Sequence, residues 1–261
     1  WRVDREEGEE VRRMLLAPAL ALLPAVLPAA TRPNVLVILT DDQGYGDLGC
    51  YGATQHRTPA LDQMADEGVR FTDFYMASPW CSPSRAAMLT GCYPQRIGFG
   101  AFDGRVVLFP GQPIGLSTQE ITIARLLQDA GYATKIIGKW HCGDQQEFLP
   151  TKHGFDSYYG LPYSNDMGVQ FEDDIYPPLP LLRDEEVIQQ QPDQTGLTER
   201  YVEEAVRFIR VDQARSDARV CLFQLVDDLT NGGSFHLDRG AAPCKLTQWR
   251  WNEDYSHGRV P

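Results

Sequence analysis

The sequence predicts an α/β fold, a largely parallel β-sheet flanked by helices. Three observations predict it. PNVLVIL at 33–39 and VCLFQLV at 220–226 are near-continuous apolar runs rich in β-branched residues. Such runs read as strands buried on both faces, as in a parallel sheet covered by helices. Segments with helical period lie between the strand candidates, so strand and helix alternate. Chemistry-bearing residues then follow strand candidates directly: Asp41 and Asp42 after the first run, Lys139 and His141 after ATKII. Open α/β sheets collect ligands at the carboxyl ends of their strands.

The elements follow in order. Residues 1–13 are charged and read as disordered. MLLAPALALLPAVLPAA at 14–30 is too short and proline-rich for a stable membrane span, and resembles a signal-peptide apolar region ending in small residues. With Met14 as the start, that segment implies a secreted, periplasmic or lysosomal-type compartment. Thr58-Pro59 opens a helix, Leu61, Met64 and Ala65 share one face, and Gly68 ends it. VRFTDFY at 69–75 alternates as a strand. In CSPSRAAMLTG at 81–91, Ser82 suits an N-cap, Pro83 the first turn and Gly91 the C-terminal stop. Cys81 then lies just outside a helix N-terminus, where unpaired N–H groups favour an anion or a nucleophile, and Arg85 falls one turn later. Residues 104–115 read as loop. Ser117 and Glu120 form a capping box for a helix to about Asp129. ATKIIGKWH at 133–141 is a strand running into a loop, and 142–196 an elaborated surface segment. Tyr201, Ala205, Phe208 and Ile209 fall on one helical face.

The 261 residues, 43% hydrophobic, suffice for one large domain with a core. A net charge of -12 argues against nucleic acid or an anionic membrane surface as partner, but not against an anionic small substrate. The six cysteines, at 50, 81, 92, 142, 221 and 244, contain no CxxC and suggest neither a zinc site nor a disulfide scaffold. Taken singly, Asp41-Asp42 is a solvated turn or a hard-cation site. Lys139 and His141, at i and i+2, can face one side of an extended segment.

Taken together, C-S-P-S-R with its L-T-G tail, after a strand ending in DDQGYGD and before GKWH, resembles the formylglycine-dependent sulfatases of the alkaline-phosphatase-like superfamily. YGDLGCYG at 45–52, TPALDQMADEGVRFTDFY at 58–75 and GLPYSNDMG at 160–168 extend the likeness, the last two toward the arylsulfatase branch. The resemblance implies an alkaline-phosphatase/sulfatase-like fold and hydrolysis of an aryl or sugar sulfate ester. It implies that a formylglycine-generating enzyme oxidises Cys81 to formylglycine, whose hydrated gem-diol attacks sulfur and keeps a second hydroxyl to expel sulfate. It implies one Ca2+ held by Asp41, Asp42 and the diol at position 81. Arg85 would hold the anionic nucleophile, Lys139 bind sulfate oxygens, His141 orient or deprotonate the diol, and Ser164 touch the sulfate side of the pocket.

The likeness fades after Arg210. The tail carries Asp227-Asp228, His236 and His257, whose surroundings match no family position for a leaving-group acid or a second pair of metal ligands. The organisation expected is a charged leader plus apolar segment at 1–31, the N-terminal part of a sulfatase catalytic domain at 32–210, and a divergent tail at 211–261. The non-Met start and the abrupt break suggest a truncated gene model, so the C-terminal portion of the fold is expected to be missing and turnover weak or absent. Two other readings stand beside sulfate-ester hydrolysis: a phosphate or phosphonate ester hydrolase of the same superfamily, and a non-catalytic remnant that binds calcium or a partner.

Overall fold

The computed structural model describes residues 32–41, 43–55, 57–169, 175–213, 219–226 and 246–249. The strands are β1 (Val35–Thr40), β2 (Tyr132–Gly138), β3 (Ser157–Gly160), β4 (Pro180–Arg183), β5 (Glu186–Gln190), β6 (Arg219–Val226) and β7 (Leu246–Trp249). They form one seven-stranded sheet in the order β5-β4-β3-β2-β6-β1-β7. Strands β7, β1, β6, β2 and β3 run parallel, and β4 and β5 turn back antiparallel. The helices are α1 (Pro59–Glu67), α2 (Cys81–Thr90), α3 (Ile123–Asp129) and α4 (Leu197–Gln213).

Alternation along the central strands sends neighbouring side chains to opposite faces. Val37 and Leu39 of β1, Ile136 of β2 and Phe223 of β6 enter one core with Ala86 and Leu89 of α2 and Ala124 of α3. Leu36, Ile137 and Leu222 enter a second core with Leu197, Tyr201 and Ala205 of α4. Phe208 and Ile209 pack against that second core, so the helical face expected from the sequence is the one α4 uses. Glu204 on this face is buried and accepts from Lys135 at 2.6 Å, Arg183 at 2.7 Å and Arg207 at 2.9 Å.

Four local expectations change. Residues 69–75 form no strand: Val69, Phe71 and Tyr75 are exposed, and the Phe71 and Thr72 carbonyls accept from the Tyr51 and Tyr45 hydroxyls instead of a ladder. The helix expected from Ser117 starts later, at Ile123, because the Thr122 hydroxyl caps it by accepting from Arg125 N–H at 3.1 Å. Ser117 and Glu120 close a turn instead, Glu120 N–H donating to the Ser117 carbonyl at 3.0 Å. The stretch 142–196 is no surface elaboration, since it supplies β3, β4 and β5 and buries Tyr158, Tyr159, Leu161, Leu179 and Leu181. Helix α2 begins two residues earlier than read: Trp80 is the N-cap and Cys81 the first helical residue. Pro83 fits either register, because the third residue of a helix also lacks an intrahelical partner for its N–H.

His153 is buried against Trp140, ring centroids 5.5 Å apart, and burial pushes its imidazole down to about 4. The unfolded chain, with an ordinary histidine near 6.5, takes up that proton first. Stability contributed here is therefore full above about pH 6.5, falls as pH drops from about 6.5 toward 4, and changes no further below that. A His153→Phe chain should lose part of this slope in melting temperature measured against pH; an identical slope would remove His153 as its source.

Candidate active site

Three strand and helix ends build the site. Strand β1 ends at Thr40 and delivers Asp41. Strand β2 ends at Gly138 and delivers Lys139 and His141. Helix α2 opens at Cys81 and carries Arg85 one turn on. Lys139 pairs through its ammonium with the Asp41 carboxylate. Arg85 reaches the same carboxylate at 3.6 Å and donates from its guanidinium to the Lys139 carbonyl at 2.7 Å. Arg85 is only 2% exposed, so one buried guanidinium ties the ends of α2, β1 and β2 together. Cys81 lies within range of the Arg85 charge.

The register of α2 changes the chemistry at Cys81. Its thiol is half-buried, and burial pushes it up from the ordinary cysteine value, against the downward pull of the Lys139 and Arg85 charges. The unmodified thiol is thus no preformed thiolate, contrary to the expectation from the helix N-terminus alone. Ser82 does not cap the helix; its hydroxyl accepts from Leu108 N–H at 3.0 Å.

Leu108 carries the second half of the arrangement. Its carbonyl lies 2.9 Å from Nε2 of His141 and can only accept, so Nε2 carries the proton. Nδ1 is then a buried acceptor with no hydrogen-bond partner among the described residues. Burial first, then the Lys139 charge, pushes the imidazole down to about 3, so the ring is neutral at ordinary pH. A neutral acceptor near the Lys139 and Arg85 charges can accept a hydrogen bond from a hydroxyl. His141 holds a left-handed backbone, φ 58°, so strand alternation is not what places it beside Lys139. Its N–H donates to the Pro162 carbonyl at 3.0 Å, and Trp140 N–H to the Leu161 carbonyl at 2.8 Å. Ser164 lies two residues past Pro162 and is buried, but no hydrogen bond from its hydroxyl joins it to this group among the described residues.

A hard cation finds the right kind of donor here: the Asp41 carboxylate and, two residues on, the buried Gln43 Oε1, which has no hydrogen-bond partner among the described residues. Among the described residues no group of three His, Cys, Asp or Glu is placed to hold a metal ion. Asp42, Asp227, Asp228, His236 and His257 lie outside the described residues, as does the apolar segment 14–30. No helix among the described residues is long and apolar enough to cross a membrane. Leu108 and Gln43 carry no sequence signal of their own, one acting through its backbone and the other through an ordinary amide.

A family model for sulfatases matches residues 33–224. The chain belongs to the sulfatase family. It is 40% identical over 216 residues to N-acetylgalactosamine-6-sulfatase of Rattus norvegicus, covering 78% of this chain and 41% of that protein. It is 45% identical over 196 residues to arylsulfatase A of Bos taurus, covering 69% and 38%. The chain thus spans about two fifths of the length of these relatives. Among solved structures it resembles Ps i-CgsB in complex with k-i-k-neocarrahexaose, with TM-score 0.63, 30% identity, and 74% of this chain and 45% of that one covered. It also resembles the PsFucS1 sulfatase from Pseudoalteromonas sp., with TM-score 0.63, 28% identity, and 85% and 48% covered. The fold of this sulfatase-family chain is therefore alkaline-phosphatase/sulfatase-like, and sulfate-ester hydrolysis is the chemistry of its family.

Arg85→Ala should be the most damaging substitution at the site for stability. It leaves the Lys139 carbonyl without its donor, opens a cavity at a fully buried position, and leaves Asp41 with Lys139. The expected loss is about 3 kcal/mol, the low end for breaking a buried ion pair, because Asp41 keeps Lys139. Urea unfolding of Arg85→Ala, of Asp41→Asn and of the double variant checks this. The double variant should lose less than the two single losses summed, and strict additivity would show that the residues do not interact.

Proposed function

We propose that the protein is a sulfuric ester hydrolase of the arylsulfatase type, acting on sulfate esters of sugars or aryl alcohols through a nucleophile made from Cys81. The observation that carries this reading is the meeting of Arg85, Lys139 and neutral His141 around a residue whose own thiol burial keeps protonated. A thiolate enzyme would hold that sulfur ionised; a site built around a diol need not. Conversion of Cys81 to formylglycine by a formylglycine-generating enzyme accounts for a cationic pocket around a dormant thiol.

In this reading Lys139 and Arg85 place positive charge where sulfate oxygens gather, and in a buried pocket that charge acts strongly. His141 takes the proton of the position-81 hydroxyl at Nδ1, its tautomer held by the Leu108 carbonyl at Nε2. Asp41 and Asp42 would hold a divalent cation, calcium by donor type, leaving Lys139 to bind substrate. When bound, that cation supplies Lewis acidity toward the sulfate and the nucleophile. Ser164 is the further substrate contact, reached from the Pro162 carbonyl that fixes His141. The relatives named N-acetylgalactosamine-6-sulfatase, and a resembling structure solved with its substrate D-glucosamine-2-N,6-O-disulfate, favour a sulfated sugar over a small aryl sulfate.

The deciding experiment is mass spectrometry of the peptide bearing Cys81 after co-expression with a formylglycine-generating enzyme, followed by assay of a sulfate and a phosphate monoester of one phenol. Aldehyde at position 81 with faster sulfate release supports the reading. An untouched thiol, or preference for the phosphate ester, rejects it.

A further inference from the structure

Beside the site lies an open groove of about 340 Å³, lined by Arg105, Phe109, Pro110, Ile175, Tyr176 and Pro177. That size suits an organic ring rather than a lone ion. Its position is tied to the catalytic centre by one residue. Leu108, next to Phe109, bonds Ser82 through its N–H and His141 through its carbonyl. The Phe109 side of the groove is therefore held next to the two elements that frame position 81.

The wall is built rather than incidental. Asp103 and Gly104 both have positive φ, 50° and 81°, and form a two-residue turn. Phe102 and Arg105 exchange both backbone hydrogen bonds across it, at 2.9 Å each. Phe102 anchors the turn in the core, edge-on to Phe99 at 5.1 Å. Arg105 is thereby set over the Phe109 ring, its guanidinium carbon 4.3 Å from the centroid. Phe109 in turn stacks on Tyr176, 6.2 Å between centroids and 24° between planes. Two further bonds pin the loop: Phe109 N–H to Gln112 Oε1 and Gly111 N–H to Asp144 Oδ2, both 2.6 Å. Arg105 is exposed and, among the described residues, forms no ion pair, although the chain carries a net charge of -12. A guanidinium held over an aromatic face with no carboxylate partner is a ready receptor for an external anion.

We propose that this groove binds the sugar ring next to the one bearing the scissile sulfate, and that Arg105 reads an anionic group on that ring. The inference rests on the sulfate-ester reading above and narrows its substrate to an anionic oligosaccharide. Phe109 and Tyr176 meet the C–H face of the ring, and Pro110 and Pro177 complete an apolar floor. Arg105 pairs bidentately with a carboxylate or a second sulfate.

Calorimetric titration of the full chain tests this with four probes. Two are disaccharides with a sulfate ester on one ring and either a carboxylate or a second sulfate on the next. The third has the carboxyl reduced to an alcohol, and the fourth is inorganic sulfate. The wild-type chain should bind at least one doubly anionic disaccharide about tenfold more tightly than the reduced one. Arg105→Gln should erase that difference, Arg105→Lys keep part of it, and Tyr176→Ala weaken all three disaccharides by about 3–10-fold. No preference for the second anion, a preference that survives Arg105→Gln, or no disaccharide binding overturns the proposal. Inorganic sulfate reports separately on the centre at Lys139. Arg105-dependent disaccharide binding without sulfate binding upholds the groove and rejects the sulfatase reading; sulfate binding without it does the reverse.

Discussion

Replacing Gly160 by alanine should unfold the chain or cost about 3 kcal/mol or more. The added methyl would sit 1.9 Å from the Gly138 carbonyl oxygen and 2.6 Å from its carbon, inside any real contact. Both neighbours are backbone, so no side chain can swing away. Gly138 and Gly160 end β2 and β3, whose register pairs Ile137 with Tyr159 just before them. Beyond that pair the two chains keep bonding: Leu161 N–H to the Gly138 carbonyl at 3.2 Å, Trp140 N–H to Leu161 and His141 N–H to Pro162. Only two glycines permit this approach, and it is the approach that carries Lys139 and His141 to their places. Urea denaturation should show the loss, and any folded fraction should bind inorganic sulfate poorly. Gly46→Ala is the control, since a methyl there meets nothing within 4 Å. A Gly160→Ala chain as stable as Gly46→Ala would mean that the strands part easily and that the site does not depend on their contact.

The parts of the fold that could be read in advance are those with a strong period. β1 and β6 are continuous apolar runs, and α4 shows Tyr201, Ala205, Phe208 and Ile209 on one stripe. The parts that could not are short strands, even where the partner is close: β4 and β5 form a hairpin with Arg183 opposite Glu186. β3, β4 and β5 are four or five residues long, too short for a period to show, and they read as loop because tyrosine, proline and glycine dominate around them. Residues 69–75 alternate as a strand should, yet a strand needs a neighbour, and their carbonyls find tyrosine hydroxyls instead. At the site the charged residues were legible through motif, since Cys81, Arg85, Lys139 and His141 are rare types in a specific order. The tautomer of His141 was not, because it is set by a backbone carbonyl that any residue at 108 would offer. The start of α2 was misplaced by two because serine is a strong N-cap in general, whereas here its hydroxyl is spent on the Leu108 N–H. Asp103-Gly104 is a turn signature that the sequence displays openly; what it does not display is the arginine that the turn sets over Phe109.

Cys81→Ala should abolish sulfate-ester turnover, by on the order of 10⁶-fold where a nucleophile carries the reaction, while leaving folding and sulfate binding near wild type. The side chain is half-buried at the first position of α2, where alanine is a good helix former, and no cap bond depends on the sulfur. Arg85 and Lys139 keep their contacts with Asp41 and with each other, so the anion pocket persists without its nucleophile. Cys81→Ser separates the two halves of the mechanism. A serine hydroxyl can attack sulfur once, with His141 Nδ1 taking its proton and the alcohol leaving. It has no second hydroxyl on the same carbon, so the sulfate ester at position 81 has no internal route to expulsion. Mass spectrometry of intact Cys81→Ser chain after incubation with an aryl sulfate should therefore show one added sulfo group and no sustained release of phenol. The Cys81→Ala chain should show neither. This readout needs a single event per molecule, so it works even where turnover is weak. Sustained release by Cys81→Ala would move the nucleophile elsewhere. Sustained release by Cys81→Ser would show that water, not a second hydroxyl, clears the sulfate, and the reason for a formylglycine at this position would be gone.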